Sequence, residues 1–196
     1  SYLPSTLTTT TKYQLKTTSG SCGTVTLAPI TITVMPQITP GTITNTNSLL
    51  CSGTTPTALT STPAQGGIDG GNPKYSYQWQ VATGAMSNDY TDVTSGTDYT
   101  TLTYTPIASN EDYRKFRIKI TNSTCPVAFT TPTVINTRSD VTPGTISGTQ
   151  NICYNTQPSQ ITGTSASGGG AYMTNATYEY KWEKRVPIVP EDLKTL

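Results

Sequence analysis

The chain has 196 residues, of which 12% are charged, and 12 Lys+Arg against 11 Asp+Glu leave a net charge of +1. No long-range field therefore draws it toward nucleic acid or an anionic membrane. It contains no histidine, which removes the usual general base, the commonest metal ligand and every Ser-His or Cys-His nucleophile pair, and with them most hydrolase templates.

Thr makes up about a fifth of the chain, beside 16 Gly, 14 Pro and 12 Tyr but only 2 Phe and 2 Trp. β-Branched and turn-forming residues in that proportion, with 33% apolar residues in alternating runs, describe an all-β protein and not a solvated coil. No run approaches the roughly 18 to 20 apolar residues of a membrane span, and residues 1–11 lack a basic region followed by an apolar one.

From the N-terminus, Tyr13, Cys22 and Pro29 return as Phe116, Cys125 and Pro132, an offset of 103. Pro40-Gly41-Thr42-Ile43 returns as Pro143-Gly144-Thr145-Ile146, and Tyr75, Tyr77 and Trp79 return as Tyr178, Tyr180 and Trp182, all at 103. Cys51 and Pro56 match Cys153 and Pro158 at 102, so one residue of slip lies between the two sets of landmarks. The period is too long for a solenoid or a propeller blade and fits an independently folding sandwich domain. The expected organisation is the C-terminal part of one unit (1–39), a complete unit (40–142) and the N-terminal part of a third (143–196).

Within the complete unit, residues 42–46 and 57–61 read as the first strands. Residues 75–80 alternate aromatic and polar, which places Tyr75, Tyr77 and Trp79 on one face. Residues 90–93 and 101–105 are short strands ended by Gly, Ser or Pro turns. Phe116, Ile118 and Ile120 alternate with Lys115, Arg117 and Lys119, one set toward a core and the other toward water, and residues 131–137 close the unit. Seven strands in about 100 residues is the immunoglobulin-like count. Tyr75, Tyr77, Trp79, Phe116 and Trp182 are the expected core aromatics, with an exposed sugar-stacking platform as the competing role for the tryptophans.

Cys51 and Cys125 form one pair per unit. A disulfide closing that loop would destabilise the unfolded chain by about 4.5 kcal/mol, and it implies an extracytoplasmic location. Zinc lacks a CxxC pair and histidine, and a catalytic thiol lacks a base. Cys22 and Cys153 are then expected to pair outside this sequence, or with one another between two copies.

No constellation specifies catalysis, and no cofactor or metal is expected. Asp89 with Asp92, and Glu111 with Asp112, lie among turn residues. Asp69, Asn72, Asp89, Asp92 and Asp98 offer oxygen ligands for Ca2+ but form no calcium loop. The glycines at 66–71 and 168–170 lack the Gly-Lys-Ser/Thr of a phosphate loop and read as loop tips. Lys115, Arg117 and Lys119 read as a solvated face that also discourages edge pairing, with anionic glycans or lipid heads as the alternative ligand. Asn122 and Asn175 fit the short N-glycosylation pattern.

The order Pro40-Gly41-Thr42-Ile43, Cys51-Ser52-Gly53-Thr54-Thr55-Pro56, Tyr75-x-Tyr77-x-Trp79-Gln80, Tyr104-Thr105-Pro106 and the Phe116 strand ending in Thr124-Cys125 resembles the Ig-like repeats of SprB-like adhesins. These are large repetitive cell-surface proteins of gliding Bacteroidota, exported by type IX secretion. The resemblance spans the chain, although residues 183–190 are more charged than their counterparts after Gln80. It implies a non-enzymatic, outer-membrane-attached surface filament used in attachment and gliding. Its partners would be neighbouring repeats of the same chain, surface polysaccharide or substratum, and the gliding and secretion machinery. Pro-containing linkers at residues 35–40 and 141–143 would stiffen the array. A carbohydrate-binding accessory region of a secreted polysaccharide-degrading enzyme and an Ig-type receptor ectodomain are the rival readings.

Overall fold

The computed structural model describes residues 1–47, 49–67, 74–171 and 175–185. Four short strands open the chain: β1 (Thr11–Tyr13), β2 (Lys16–Thr18), β3 (Thr24–Thr26) and β4 (Ile30–Ile32), with a 3-10 turn at Gly20–Cys22 between β2 and β3. The central region holds β5 (Ile43–Thr44), β6 (Leu49–Cys51), β7 (Leu59–Ser61), β8 (Ser76–Thr83), β9 (Thr91–Asp92), β10 (Thr103–Tyr104), β11 (Tyr113–Thr121), β12 (Ala128–Phe129) and β13 (Thr133–Arg138). Then follow β14 (Val141–Thr142), β15 (Ile146–Ser147), β16 (Thr162–Gly163) and β17 (Ser167–Gly168).

The central strands form a two-layer sandwich. One sheet has the order β10-β7-β5, and the other has β6-β13-β11-β8-β9 with β12 attached to β11. β6 pairs in parallel with β13, whereas the other central pairs are antiparallel. The long β8–β11 ladder, from Arg114↔Thr83 to Thr121↔Ser76, follows from two runs of period-2 alternation that each offer one apolar face.

Trp79 and Phe116 are 0% and 1% exposed, and Leu59, Ile118, Ile120 and Ile135 are buried with them. Tyr104 lies between the two large rings, with centroids 5.5 Å from Trp79 and 6.0 Å from Phe116. The indole Nε1–H of Trp79 donates to Thr101 O at 3.0 Å, so the most deeply buried ring leaves no unmet donor. Tyr75 and Tyr77 are half-buried against this cluster. Each finds a backbone partner: Tyr75 Oη donates to Gly66 O at 2.6 Å, and Tyr77 Oη accepts from Ala64 N–H at 3.4 Å.

The seven expected strands all appear, most of them shorter than predicted. β6 and β12 are additional. β6, with its sequence Leu49-Leu50-Cys51, has no alternation to betray it, and β12 is two residues long.

The flanking pairs reproduce the central ones. Thr11↔Ile32, Lys12↔Thr31 and Tyr13↔Ile30 have the register of Arg114↔Ile135, Lys115↔Val134 and Phe116↔Thr133, and Lys16↔Thr26 has that of Lys119↔Phe129. At the other end Ile146↔Gly163 corresponds to Ile43↔Ser61. The one-residue slip thus falls between the first two strands of the fold. Tyr178 and Tyr180 also repeat the partners of Tyr75 and Tyr77, bonding Gly168 O and Ala166 N–H.

Trp182 departs from the expected core role: it is 64% exposed, as is Tyr180. Trp79 is covered by Tyr104 and Phe116, and among the described residues no such pair of rings lies against Trp182.

Two outcomes follow for the tryptophans. Trp79→Ala is expected to cost about 3–5 kcal/mol, by loss of transfer energy and creation of a cavity, measured as a fall in the urea midpoint. In iodide quenching, Trp182→Phe is expected to remove the accessible fluorescence and leave a protected, blue-shifted emission from Trp79.

Candidate functional site

The outer face of the larger sheet carries the basic stripe of β11. β9 pairs with β8 and β12 with β11, which brings Tyr90 and Phe129 to opposite sides of Arg117. The guanidinium carbon lies 3.8 Å from the Tyr90 centroid and 4.0 Å from that of Phe129, within the range of strong cation–π contact. Arg117 Nε–H donates to Gln80 Oε1 at 2.8 Å, and Gln80 Nε2–H donates to Asp92 Oδ1 at 2.7 Å. Lys119 Nζ is 3.9 Å from Asp92 Oδ2. Lys115 Nζ donates to Asn88 Oδ1 at 3.1 Å and Ala85 O at 3.3 Å.

The stripe is therefore not a row of free, solvated cations: each charge is engaged by its own sheet, and both planar faces of Arg117 are covered by rings. That arrangement suits rigidity better than capture of an anion. Burial pushes the Tyr90 phenol above its ordinary pKa, with the Arg117 charge opposing.

Parity along β11 also carries Arg114 to the core side with Phe116, Ile118 and Ile120. Its Nη1–H donates to Ile107 O at 3.1 Å, its guanidinium lies 5.4 Å from the Phe116 centroid, and its Nε has no partner among the described residues. Burial lowers its pKa, with Tyr104 and Glu111 opposing. The Tyr104 phenol is pushed up by burial, and Arg114 opposes that shift.

The acidic candidates do local work. The backbone N–H of Asp89 and of Glu111 each bond a Ser hydroxyl two residues earlier, at Ser87 and Ser109. Asp92 holds Gln80 and Lys119, and Asp112 O accepts the Thr137 N–H. Asp98 has a left-handed φ of 62° in a turn. Among the described residues no three metal-ligating side chains gather, and Asp69, Asn72 and the glycine run beyond Gly67 lie outside them. The Asn122 amide is already occupied: Nδ2–H donates to Gly67 O at 3.0 Å, and Oδ1 accepts the N–H groups of Thr124 and Cys125.

The cysteines correct the expected disulfide. Cys51 and Cys125 are both free thiols at opposite ends of the larger sheet. Cys51 stands beside Arg138, past the Tyr113 end of β11, and Cys125 follows the Thr121 end. The length of β11 alone is about 27 Å at 3.4 Å per residue, whereas a disulfide needs Cα atoms within roughly 7 Å. Equal spacing in sequence placed the two cysteines in one unit but carried no information about the end of the sheet each reaches. Cys22 and Cys153 are likewise free and exposed.

The segments expected to be linkers are tied by backbone hydrogen bonds. Only Ser139 and Asp140 separate β13 from β14, and both sides of Ser139 are bonded: its N–H donates to Gly170 O at 3.1 Å, and its carbonyl accepts from Gly169 N–H at 3.0 Å. At the earlier joint Pro36 O accepts from Gly67 N–H at 2.7 Å, and Thr39 and Gln65 exchange bonds at 2.8 and 2.9 Å. Ile38 is buried in the central core.

Residues 39–139 match the family described as Domain of unknown function (DUF8696). That stretch is more than half of the chain, and the chain belongs to this family. No curated protein and no solved structure matches it.

Burial raises the folded-state pKa of Tyr104 and Tyr90, so their contribution is complete below the unfolded value of about 10 and lost as pH rises through the folded values. Denaturation midpoints are expected to fall above about pH 10, and Tyr104→Phe is expected to flatten that fall. Arg117→Ala is expected to raise the Tyr90 pKa further in an ultraviolet titration and to cost about 1–2 kcal/mol of stability.

Proposed function

We propose that this member of the DUF8696 family is a non-enzymatic structural and adhesive module of an extended cell-surface array, used in surface attachment and gliding. The complete unit, expected at 40–142, begins and ends a few residues earlier, since Ile38 packs in its core and Thr39 pairs with Gln65 while Val141–Thr142 pair with β17. The stretch before it supplies the last strands of the same fold and the stretch after it the first strands. The single observation that carries this reading is the joint at Ser139. The last strand of one unit runs within two residues into the first strand of the next, and the connecting backbone is bonded on both sides. Such a joint passes tension from sheet to sheet without a slack segment between them.

The place at the cell surface and the type IX route are supported by the resemblance to SprB-like repeats. The carbohydrate-binding alternative has less support, because Tyr90 and Phe129, the aromatic pair on the outer face, turn their inner faces to Arg117.

Gly168 tests the joint. Its φ is +81°, and a Cβ there would meet Asp140 O at 1.9 Å. Gly168→Val is expected to abolish hydrogen-exchange protection at the Gly169 amide and to reduce the largest dimension in small-angle scattering, while the central sandwich keeps its melting transition. An unchanged scattering profile would remove the stiff-joint argument. Retention of the chain on a polysaccharide column, lost in Tyr90→Ala, would replace the spacer reading with the carbohydrate-binding one.

A further inference from the structure

The cysteines that cannot meet within a unit lie at its two joints. Cys125 is at the leading joint: its Sγ is 3.9 Å from Pro36 O and 3.7 Å from Gly67 O, and Pro36 O also accepts the Gly67 N–H. Cys51 is at the trailing joint, paired with Arg138, and the Ser52 N–H donates to Arg138 O at 2.9 Å. The joints are equivalent, because the bond from Gly67 N–H to Pro36 O recurs as that from Gly169 N–H to Ser139 O. In a further unit, the residue at the Cys125 position would stand next to Ser139 O and Gly169 O, one residue along the chain from the partner of Cys51.

A cavity of about 370 Å³ adjoins that place, its lining including Leu49, Asn136 and Arg138 of the central unit and Val141, Gly169 and Tyr178 beyond it. Leu49 and Cys51 are exposed and Leu50 is turned inward. Cys51 therefore shares the face of Leu49, the face that lines the cavity. Neighbouring strands lie about 4.8 Å apart, so Cys51 stands one strand spacing from Arg138, whose neighbour Ser139 carries the carbonyl that the next unit's thiol would face.

We infer that the disulfide of this fold joins consecutive units, Cys51 of one to the cysteine at the Cys125 position of the next. This rests on the tandem-array reading above. Bond formation removes one proton and one electron from each thiol. A small-molecule disulfide such as oxidised glutathione accepts both electrons and leaves as two thiols, through a mixed disulfide. The closed link would clamp each joint and leave the interior of each sandwich untouched.

The test inserts a second copy of residues 40–142 directly after residue 142 of the full chain and oxidises the product with a glutathione redox buffer. Non-reducing digestion and mass spectrometry are expected to find first-copy Cys51 linked to second-copy Cys125, with loss of one pair of thiols. Cys51→Ser in the first copy is expected to leave second-copy Cys125 as a thiol and to lower amide protection at the new joint. A link between Cys51 and Cys125 of one copy would overturn the inference. So would free thiols beside a joint whose Ser139 and Gly67 amides are protected from exchange. Free thiols with both amides unprotected would instead sink the array reading together with the inference.

Discussion

Everything in the central unit depends on the antiparallel register of β8 with β11. That ladder sets Ile118 opposite Trp79 and Lys119 opposite Gln78, and because side chains alternate along a strand, sliding either by one residue would exchange the two faces. Trp79 would then point at solvent and Gln78 at the core. The hydrogen bond from the indole to Thr101 O fixes the ring against the opposite sheet. The Arg117–Gln80–Asp92 chain ties the same two strands to β9 on the outer face. One register therefore serves both the apolar layer and the polar one.

The outer face shows why a count of charges is a poor guide to a surface. Three cations at alternate positions describe an open basic strip in sequence, and the short strands β9 and β12 turn it into a closed set of contacts. Stacking between two rings desolvates the guanidinium partly and offsets this with ring quadrupoles and a hydrogen bond from Nε. A lysine could not fill that slot equally well, because it lacks a plane to offer each ring.

The fold was largely legible because its signals are local. Alternation in residues 75–80 and 115–120 marks the two long strands, and repeated Pro-Gly and aromatic landmarks mark the unit boundary. What was hidden depends on partners distant in sequence. Arg114 looked like one more charge until parity put it beneath Phe116, and β6 is a strand only because β13 offers an edge to pair with. The cysteines failed for the same reason, since offset in sequence does not say which end of a sheet a residue occupies. Trp182 inherited its expected role from Trp79, but burial belongs to the residues that cover a ring and not to the ring alone.

The equivalence between β1–β4 and the central ladders holds for backbone pairing but not for side chains. Where the central unit has Arg114, Arg117 and Phe129, the opening strands have Thr11, Gln14 and Thr26. Repeats held side by side on one chain are prone to exchange strands while folding, because each offers its neighbour a matching edge. Were the opening strands to take the place of β11 and β12, the slot between Tyr90 and the sheet would receive an amide in place of the stacked guanidinium. Misassembled neighbours would thus be penalised by their surfaces even where their backbones agree, a form of proofreading written into the variation between copies.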